Sequence, residues 1–286
     1  MQFYSPLRYP GGKGRLTQVL CDLIEANGLT GGTYIEPYAG GAAVAIALLN
    51  LEYASKIHIN DINRSVHAFW RAVLDQPEAL CRRITGAQLS LDEWRRQRSI
   101  QAEANPDPID LAFSTFYLNR ANRSGILFGG VIGGQAQDSE WTLAARFNKT
   151  DLAGRIARIA ELRSRITLTN LDAIELLRTV APRLPRRSLI YLDPPYYVKG
   201  KGLYEDHYRH ADHERVAVEV SKLNRPWIAS YDNAPEIRAM YSAYRFRTFG
   251  LRYSAQSRYE GGEVMFFSES LSTIPDAVMP SRAAAA

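Results

Sequence analysis

The stretch Thr33-Tyr34-Ile35-Glu36-Pro37-Tyr38-Ala39-Gly40-Gly41, followed by Ala42 to Leu51 and then by Ile57-His58-Ile59-Asn60-Asp61, decides the fold. Thr33 to Ile35 is a short β-prone run that enters a turn containing proline and glycine. Ala42 to Leu51 holds only small and aliphatic residues apart from Asn50, which predicts a buried helix. Ile57 to Asp61 alternates in polarity and ends on a carboxylate. Strand, glycine turn, helix and acid-terminated strand form a βαβ unit, and that unit predicts a parallel sheet. Upstream, Leu16, Val19, Leu20, Leu23 and Ile24 recur at helical spacing until Asn27-Gly28 stops them.

Downstream the strand pattern lapses. Segments around Val66–Leu74, Leu91–Ala104 and Ile109–Leu118 read as helices, with Pro106 and Pro108 marking a break. Between Gly125 and Gly134 five of ten residues are glycine, which describes a loop. Strand signals resume at Ile166–Thr169 and Ser188–Leu192, then at Trp227–Ser230, Arg245–Phe249 and Val264–Phe267. The pattern predicts one α/β sheet interrupted by a mostly helical insertion. Residues 1–63 and 149–274 would form the sheet domain, 64–148 the insertion and 275–286 a frayed tail.

The composition excludes several classes. At 286 residues, 46% hydrophobic and 23% charged, the chain is globular and not wholly disordered. No apolar run approaches the length of a membrane span. The start, Met-Gln-Phe-Tyr-Ser-Pro, lacks the basic and apolar regions of a secretory signal. Cys21 and Cys81 make no metal or disulfide pattern, so a reducing cytoplasm is expected. The net charge is +5 and 29 of the 35 basic residues are arginine. The guanidinium fork suits phosphate and base edges, although charge alone does not separate a polyanion binder from other basic proteins.

Asp193-Pro194-Pro195-Tyr196 follows directly on the apolar run Ser188 to Leu192. Two prolines end a strand, since neither donates to the ladder. The carboxylate is thereby presented at the strand's carboxyl end, where open α/β sheets bind ligands. An exocyclic amino group on a base is a poor nucleophile because its lone pair is delocalised into the ring. Hydrogen bonds from its two N–H groups to Asp193 and to the Pro194 carbonyl favour a pyramidal nitrogen, and Tyr196 offers a stacking face.

The first βαβ unit offers a place for the electrophile. Glycine in the turn lets a ligand approach the backbone, and Asp61 stands 20 residues beyond Gly41, the spacing of a ribose-binding acid. The full GxGxxG pattern is absent, which points to an adenosine cofactor other than a dinucleotide. Arg8 to Lys13 fails the P-loop pattern, having Leu7 and Gly14 where glycine and Ser or Thr are required. His207, His210 and His213 recur every third residue, a spacing that fits no standard zinc site, so no metal is expected. Asp212 is expected to cap a helix starting near His213.

These blocks together resemble the Dam-like adenine-specific DNA methyltransferases, and the likeness runs in order over residues 5 to 268. Arg8-Tyr9-Pro10-Gly11-Gly12-Lys13 resembles that family's aromatic-x-Gly-Gly-Lys block, and Glu36 to Gly41 its Glu-Pro-Phe-x-Gly-x-Gly loop. Asn60-Asp61-Ile62-Asn63 resembles its ribose block, and Asp193 to Tyr196 matches its catalytic motif without substitution. Ser230-Tyr231-Asp232-Asn233 and Arg252-Tyr253-Ser254 fall in the expected order. The resemblance implies a Rossmann-like methyltransferase sheet with a helical target-recognition insertion. It implies S-adenosylmethionine held by Tyr9, Lys13, Glu36, Pro37, Tyr38, Gly40, Gly41, Asp61 and Asp193, with catalysis by Asp193, Pro194, Pro195 and Tyr196.

The resemblance also places Asn119, Arg120, Arg123 and Ser124 against DNA, in a stretch from Leu111 through Gln137 that has no acidic residue. The family's asparagine before Gly125 is Ser124 here, and its downstream arginine is Phe128. A base-reading guanidinium is missing at that place, so the family's GATC target does not carry over. The expected reaction is methyl transfer to the amino group of an adenine flipped out of double-stranded DNA. The expected setting is a monomer in the cytoplasm of a bacterial, archaeal or phage-infected cell, alone or beside a restriction endonuclease. Amino methylation of cytosine or of RNA follows the same logic, and a DNA-binding homologue without catalysis would share the fold.

Overall fold

The computed structural model describes residues 4–8, 16–198, 208–252 and 260–275. Helix α1 (Thr17–Ala26) buries the predicted stripe from Val19 to Ile24 and stops where Gly28 turns left-handed, at φ 64°. The βαβ unit follows as β1 (Gly32–Glu36), α2 (Ala43–Asn50) and β2 (Ala54–Asn60). Next come α3 (Arg64–Asp75), α4 (Pro77–Gly86), α5 (Leu91–Ala102) and α6 (Pro108–Ala121). Caps set their starts: Asn63 accepts from Ser65 and Val66, Ser90 from Glu93, and Asp107 from Ile109 and Asp110. The break read at Pro106 and Pro108 is the start of α6, with Pro108 in the first turn, where its missing N–H costs nothing.

The second half contains α7 (Lys149–Glu161), β3 (Ile166–Thr169), α8 (Ala173–Thr179) and β4 (Ser188–Leu192). It continues with α9 (His210–Ser221), β5 (Trp227–Asp232), α10 (Pro235–Met240), β6 (Arg245–Arg252) and β7 (Glu260–Phe267). Helix α9 starts at His210, earlier than expected. Asp212 lies inside its first turn and reaches back to the Arg209 N–H at 2.8 Å.

The strands form one sheet in the order β3-β2-β1-β4-β5-β7-β6. The first five are parallel, as the βαβ unit predicts. The last pair departs from that expectation: β7 runs antiparallel to both β5 and β6. Seven residues separate β6 from β7, too few for a parallel crossover. Along β1 and β4 alternate side chains enter two apolar clusters, Tyr34, Leu189 and Tyr191 on one face and Ile35, Ile190 and Leu192 on the other. Helices α1 to α7 cover the first face and α8 to α10 the second. The helices of residues 64–148 bury Phe69, Trp70, Phe116 and Tyr117 in the same cluster as Leu20 and Ile57. Strand order reverses between β1 and β4, so their carboxyl ends open a crevice there.

Candidate active site

Glu36 closes β1 and is 4% exposed. Its Oε1 accepts from the Tyr34 hydroxyl and from the Ala45 N–H in the first turn of α2, each at 3.1 Å. Burial drives its carboxyl up to about 8, against the two hydrogen bonds and with the help of the Asp193 charge. The turn that follows is left-handed at Gly40 and Ala42, φ 47° and 45°. Asp61, just past β2, spans this turn: Oδ2 accepts from the Gly40 N–H at 2.8 Å and Oδ1 from the Asn63 N–H at 2.9 Å. The Trp70 indole donates to the Gly40 carbonyl at 2.9 Å. Gly41 offers its carbonyl to the Ser5 hydroxyl.

Sequence reasoning gave Asn60 no role of its own. It is fully buried, and its Nδ2 donates to the carbonyls of Pro37 at 2.9 Å and Leu171 at 3.0 Å. Its Oδ1 accepts from Thr169 and from the Leu171 N–H. One amide thereby fastens the turn after β1 to the carboxyl end of β3. Tyr38 contacts the Tyr208 hydroxyl at 3.2 Å. Burial raises Tyr38 well above an ordinary phenol.

Asp193 lies one strand over, half-buried after β4. The Ser230 hydroxyl donates to its Oδ1 at 2.7 Å. Ser230 spends its single proton there, so the Tyr191 hydroxyl is the donor in their 2.8 Å contact. Pro194 is buried and Pro195 half-buried. Tyr196 is only 3% exposed, and its hydroxyl donates to Glu263 Oε1 at 2.8 Å. Asp232 holds the backbone beyond, taking the N–H groups of Tyr197 and Val198 at 2.8 Å each. The turn thus brings Glu36 and Asp193 together at the switch point. Tyr9 and Lys13 of the cofactor expectation, and Tyr253 and Ser254, lie outside the described residues.

A second group of predicted residues sits around α6. Asn119 is 3% exposed. Its Oδ1 accepts from the Arg8 N–H at 2.7 Å, and its Nδ2 donates to the carbonyls of Arg8 and Gly125. The chain passes so close that a Cβ on Gly125, itself at φ 77°, would stand 2.6 Å from the Arg8 carbonyl oxygen. Arg120 donates to the carbonyls of Arg146 at 2.7 Å and Pro6 at 3.4 Å. Burial, then the charges of Arg8 and Arg155, bring Arg120 down to about 9. Arg123 and Ser124 are exposed on the following turn, and Phe128 is 46% exposed. The structure therefore separates an inward Asn119 from an outward Arg123 and Ser124.

Among the described residues no group of three or more His, Cys, Asp or Glu side chains could hold a metal ion. His210 bonds the Tyr197 hydroxyl at 2.9 Å and pairs with Glu214 at 3.2 Å. His213 is buried among the rings of Tyr197, Tyr208 and Tyr231. His207 lies outside the described residues. No described helix is long and apolar enough to cross a membrane.

Solved structures similar to the chain include a Pyrococcus horikoshii protein provisionally described as an RNA methyltransferase. It shows 10% identity and a TM-score of 0.44, over 92% of this chain and 85% of that one. The rRNA methyltransferase AviRa from Streptomyces viridochromogenes matches at 9% identity and a TM-score of 0.31, over 84% and 78%. No curated protein sequence matches the chain. The sequence model for the D12 class N6 adenine-specific DNA methyltransferases, which use S-adenosylmethionine as methyl donor, matches residues 9–255, and the chain belongs to that family.

Proposed function

We propose that this enzyme methylates the N6 amino group of an adenine everted from double-stranded DNA, in the crevice between the carboxyl ends of β1 and β4. The observation that carries this reading is Asp193: it is half-buried at the switch point, beside Glu36, and fixed by Ser230 at 2.7 Å. The target nitrogen lies inside the base stack, so the adenine has to leave the helix to reach an acid in a crevice.

The chemistry of the residues present fits S-adenosylmethionine. Asp61 stands at the end of β2, where an acid accepts from ribose hydroxyls, and it already shapes the Gly40 turn. The Asp193 carboxylate lends the crevice negative potential suited to a cation, whereas Glu36, held protonated by burial, lines it as a neutral acid. The cofactor supplies an electrophilic methyl group on a sulfonium. Pro37, Tyr38 and Gly41 line the same turn, and Tyr9 and Lys13 join them by the family resemblance.

Asp193 accepts one N–H of the adenine amino group and the Pro194 carbonyl accepts the other. A carboxylate has about four acceptor positions, so the Ser230 bond is compatible with this role. The two bonds draw the nitrogen out of conjugation and aim its lone pair across the crevice. The methylated nitrogen then sheds one proton to solvent water, which restores the neutral amine. Pro195 stiffens the turn, and Tyr196 stacks on the base once its covered face is open to it.

Residues 64–148 serve as the target-recognition segment. Arg123 and Ser124 face the duplex, and Arg120 lies in a group of arginines whose mutual repulsion a DNA phosphate would relieve. Asn119 supports that surface from inside. The enzyme acts as a cytoplasmic monomer, alone or beside a restriction endonuclease.

Asp193→Ala tests the reading with labelled S-adenosylmethionine and DNA from a host without adenine methylation. The expected result is loss of N6-methyladenine in nucleoside mass spectra while cofactor binding stays measurable. A near-normal rate in the variant overturns the assignment.

A further inference from the structure

Strands β5 and β7 are antiparallel with Asp232 directly opposite Glu263, and Ser230 two residues before Asp232. Opposed residues, and residues two apart on one strand, share a face of the sheet. Ser230, Asp232 and Glu263 therefore line one face at one end of this ladder, where they are 0%, 8% and 1% exposed. Each grips a different part of the catalytic turn. Ser230 holds the Asp193 carboxylate, Asp232 the Tyr197 and Val198 amides, and Glu263 the Tyr196 hydroxyl.

Two buried acids facing each other across a ladder weaken a sheet, because like charges oppose and each carboxylate loses water. Further along the same face of β7, the buried Met265 and Phe267 show what packing alone favours there. The Tyr196 ring, moreover, is held at both ends, by its backbone after Pro195 and by its hydroxyl on Glu263. A ring tethered only at Cα sweeps through its rotamers. One tethered at both ends keeps a single χ1 rotamer and so one ring position, and stacking depends on that position.

We propose that Glu263 is a positioning residue for methyl transfer: by accepting the Tyr196 hydroxyl it sets the position of the ring on which the target base stacks. The inference rests on the reading above that Tyr196 carries the base. It assigns to β7, a strand that supplies none of the catalytic motif, control over the motif's last residue. It also accounts for tyrosine at 196, since the phenol oxygen is the tether.

The test is a double-mutant cycle on steady-state methylation of adenine-unmethylated genomic DNA, with labelled S-adenosylmethionine varied up to saturation. E263L removes the acceptor and Y196F the donor, and each should slow kcat by about tenfold with little change in KM for the cofactor. The pair E263L/Y196F should be no slower than either single variant, because one hydrogen bond is lost only once. E263Q keeps an acceptor oxygen and should stay within about threefold of the parent. Thermal unfolding accompanies each variant, since a purely structural Glu263 would lower Tm in step with rate and its effect would add to that of Y196F. Unchanged kcat in Y196F overturns the inference even if E263L fails to fold, as do additive losses. Y196A separates the two levels. A normal rate in Y196A sinks the stacking role itself, whereas an inactive Y196A beside a normal E263L sinks only the role of Glu263.

Discussion

Glu36 shows how one side chain ties the stability of this fold to pH. Its carboxyl is held near 8 in the folded chain, against 4.5 for an ordinary glutamate, because the end of β1 withholds water from the charged form. Below about pH 4.5 both folded and unfolded states carry the proton, and the group contributes no pH dependence. Between 4.5 and 8 only the folded state retains it, so stability falls as pH rises and the loss is complete above 8. The full loss is on the order of a few kcal/mol. E36Q should abolish this dependence. Urea unfolding at pH 5, 6.5 and 8 should show E36Q gaining on the parent with each step. A constant difference across that range would show that Glu36 is ionised throughout. The motif marked Glu36 as a candidate site residue, but its protonation follows from burial, which no local pattern encodes.

Among the elements, the segment 5–8 is the tie between the helical layer and the turn after β1. Ser5 bonds Gly41, Arg155 of α7 donates to the Ser5 carbonyl at 3.1 Å, Arg120 of α6 reaches Pro6, and Asn119 clamps Arg8 on both sides. Asn122 completes the frame, donating to the carbonyls of Ile126 and Leu127 while its Oδ1 accepts from the Trp94 indole at 2.7 Å. Asn119→Leu strands the Arg8 amide and the Gly125 carbonyl in a buried setting, which should cost about 2–4 kcal/mol. Chemical denaturation measures that loss. Cofactor titration should show weaker binding in parallel, because the clamp and the Gly41 turn share segment 5–8. Unchanged cofactor affinity in a destabilised variant would show that the turn holds without it. The sequence placed Asn119 in a motif, but an asparagine amide serves an inner carbonyl or an outer phosphate equally well. Only the path of residues 5–8 across α6 decides between them.

For the molecule as a whole the net charge of +5, with arginine dominating the basic residues, sets how DNA is met. Affinity for duplex DNA should fall linearly with the logarithm of salt concentration as counterions are displaced. Arg123 is exposed on the turn after α6. R123Q should therefore leave unfolding unchanged while lowering the salt slope by about one and weakening binding across sequences. Fluorescence anisotropy over a salt series tests this. A slope equal to that of the parent would remove Arg123 from the interface.

Residues 33 to 61 determined the βαβ unit by themselves, because a buried strand, a glycine turn and a helix of small residues each leave a local mark. Asp193 to Tyr196 likewise announced a carboxylate at a strand end, since two prolines permit little else. The antiparallel β7, the inward amide of Asn119 and the grip of Glu263 on Tyr196 were decided only by the tertiary structure. Each joins residues far apart in the chain, 67 positions for Glu263 and Tyr196. Long-range pairing of that kind depends on how the sheet closes, and a local sequence pattern carries no record of it.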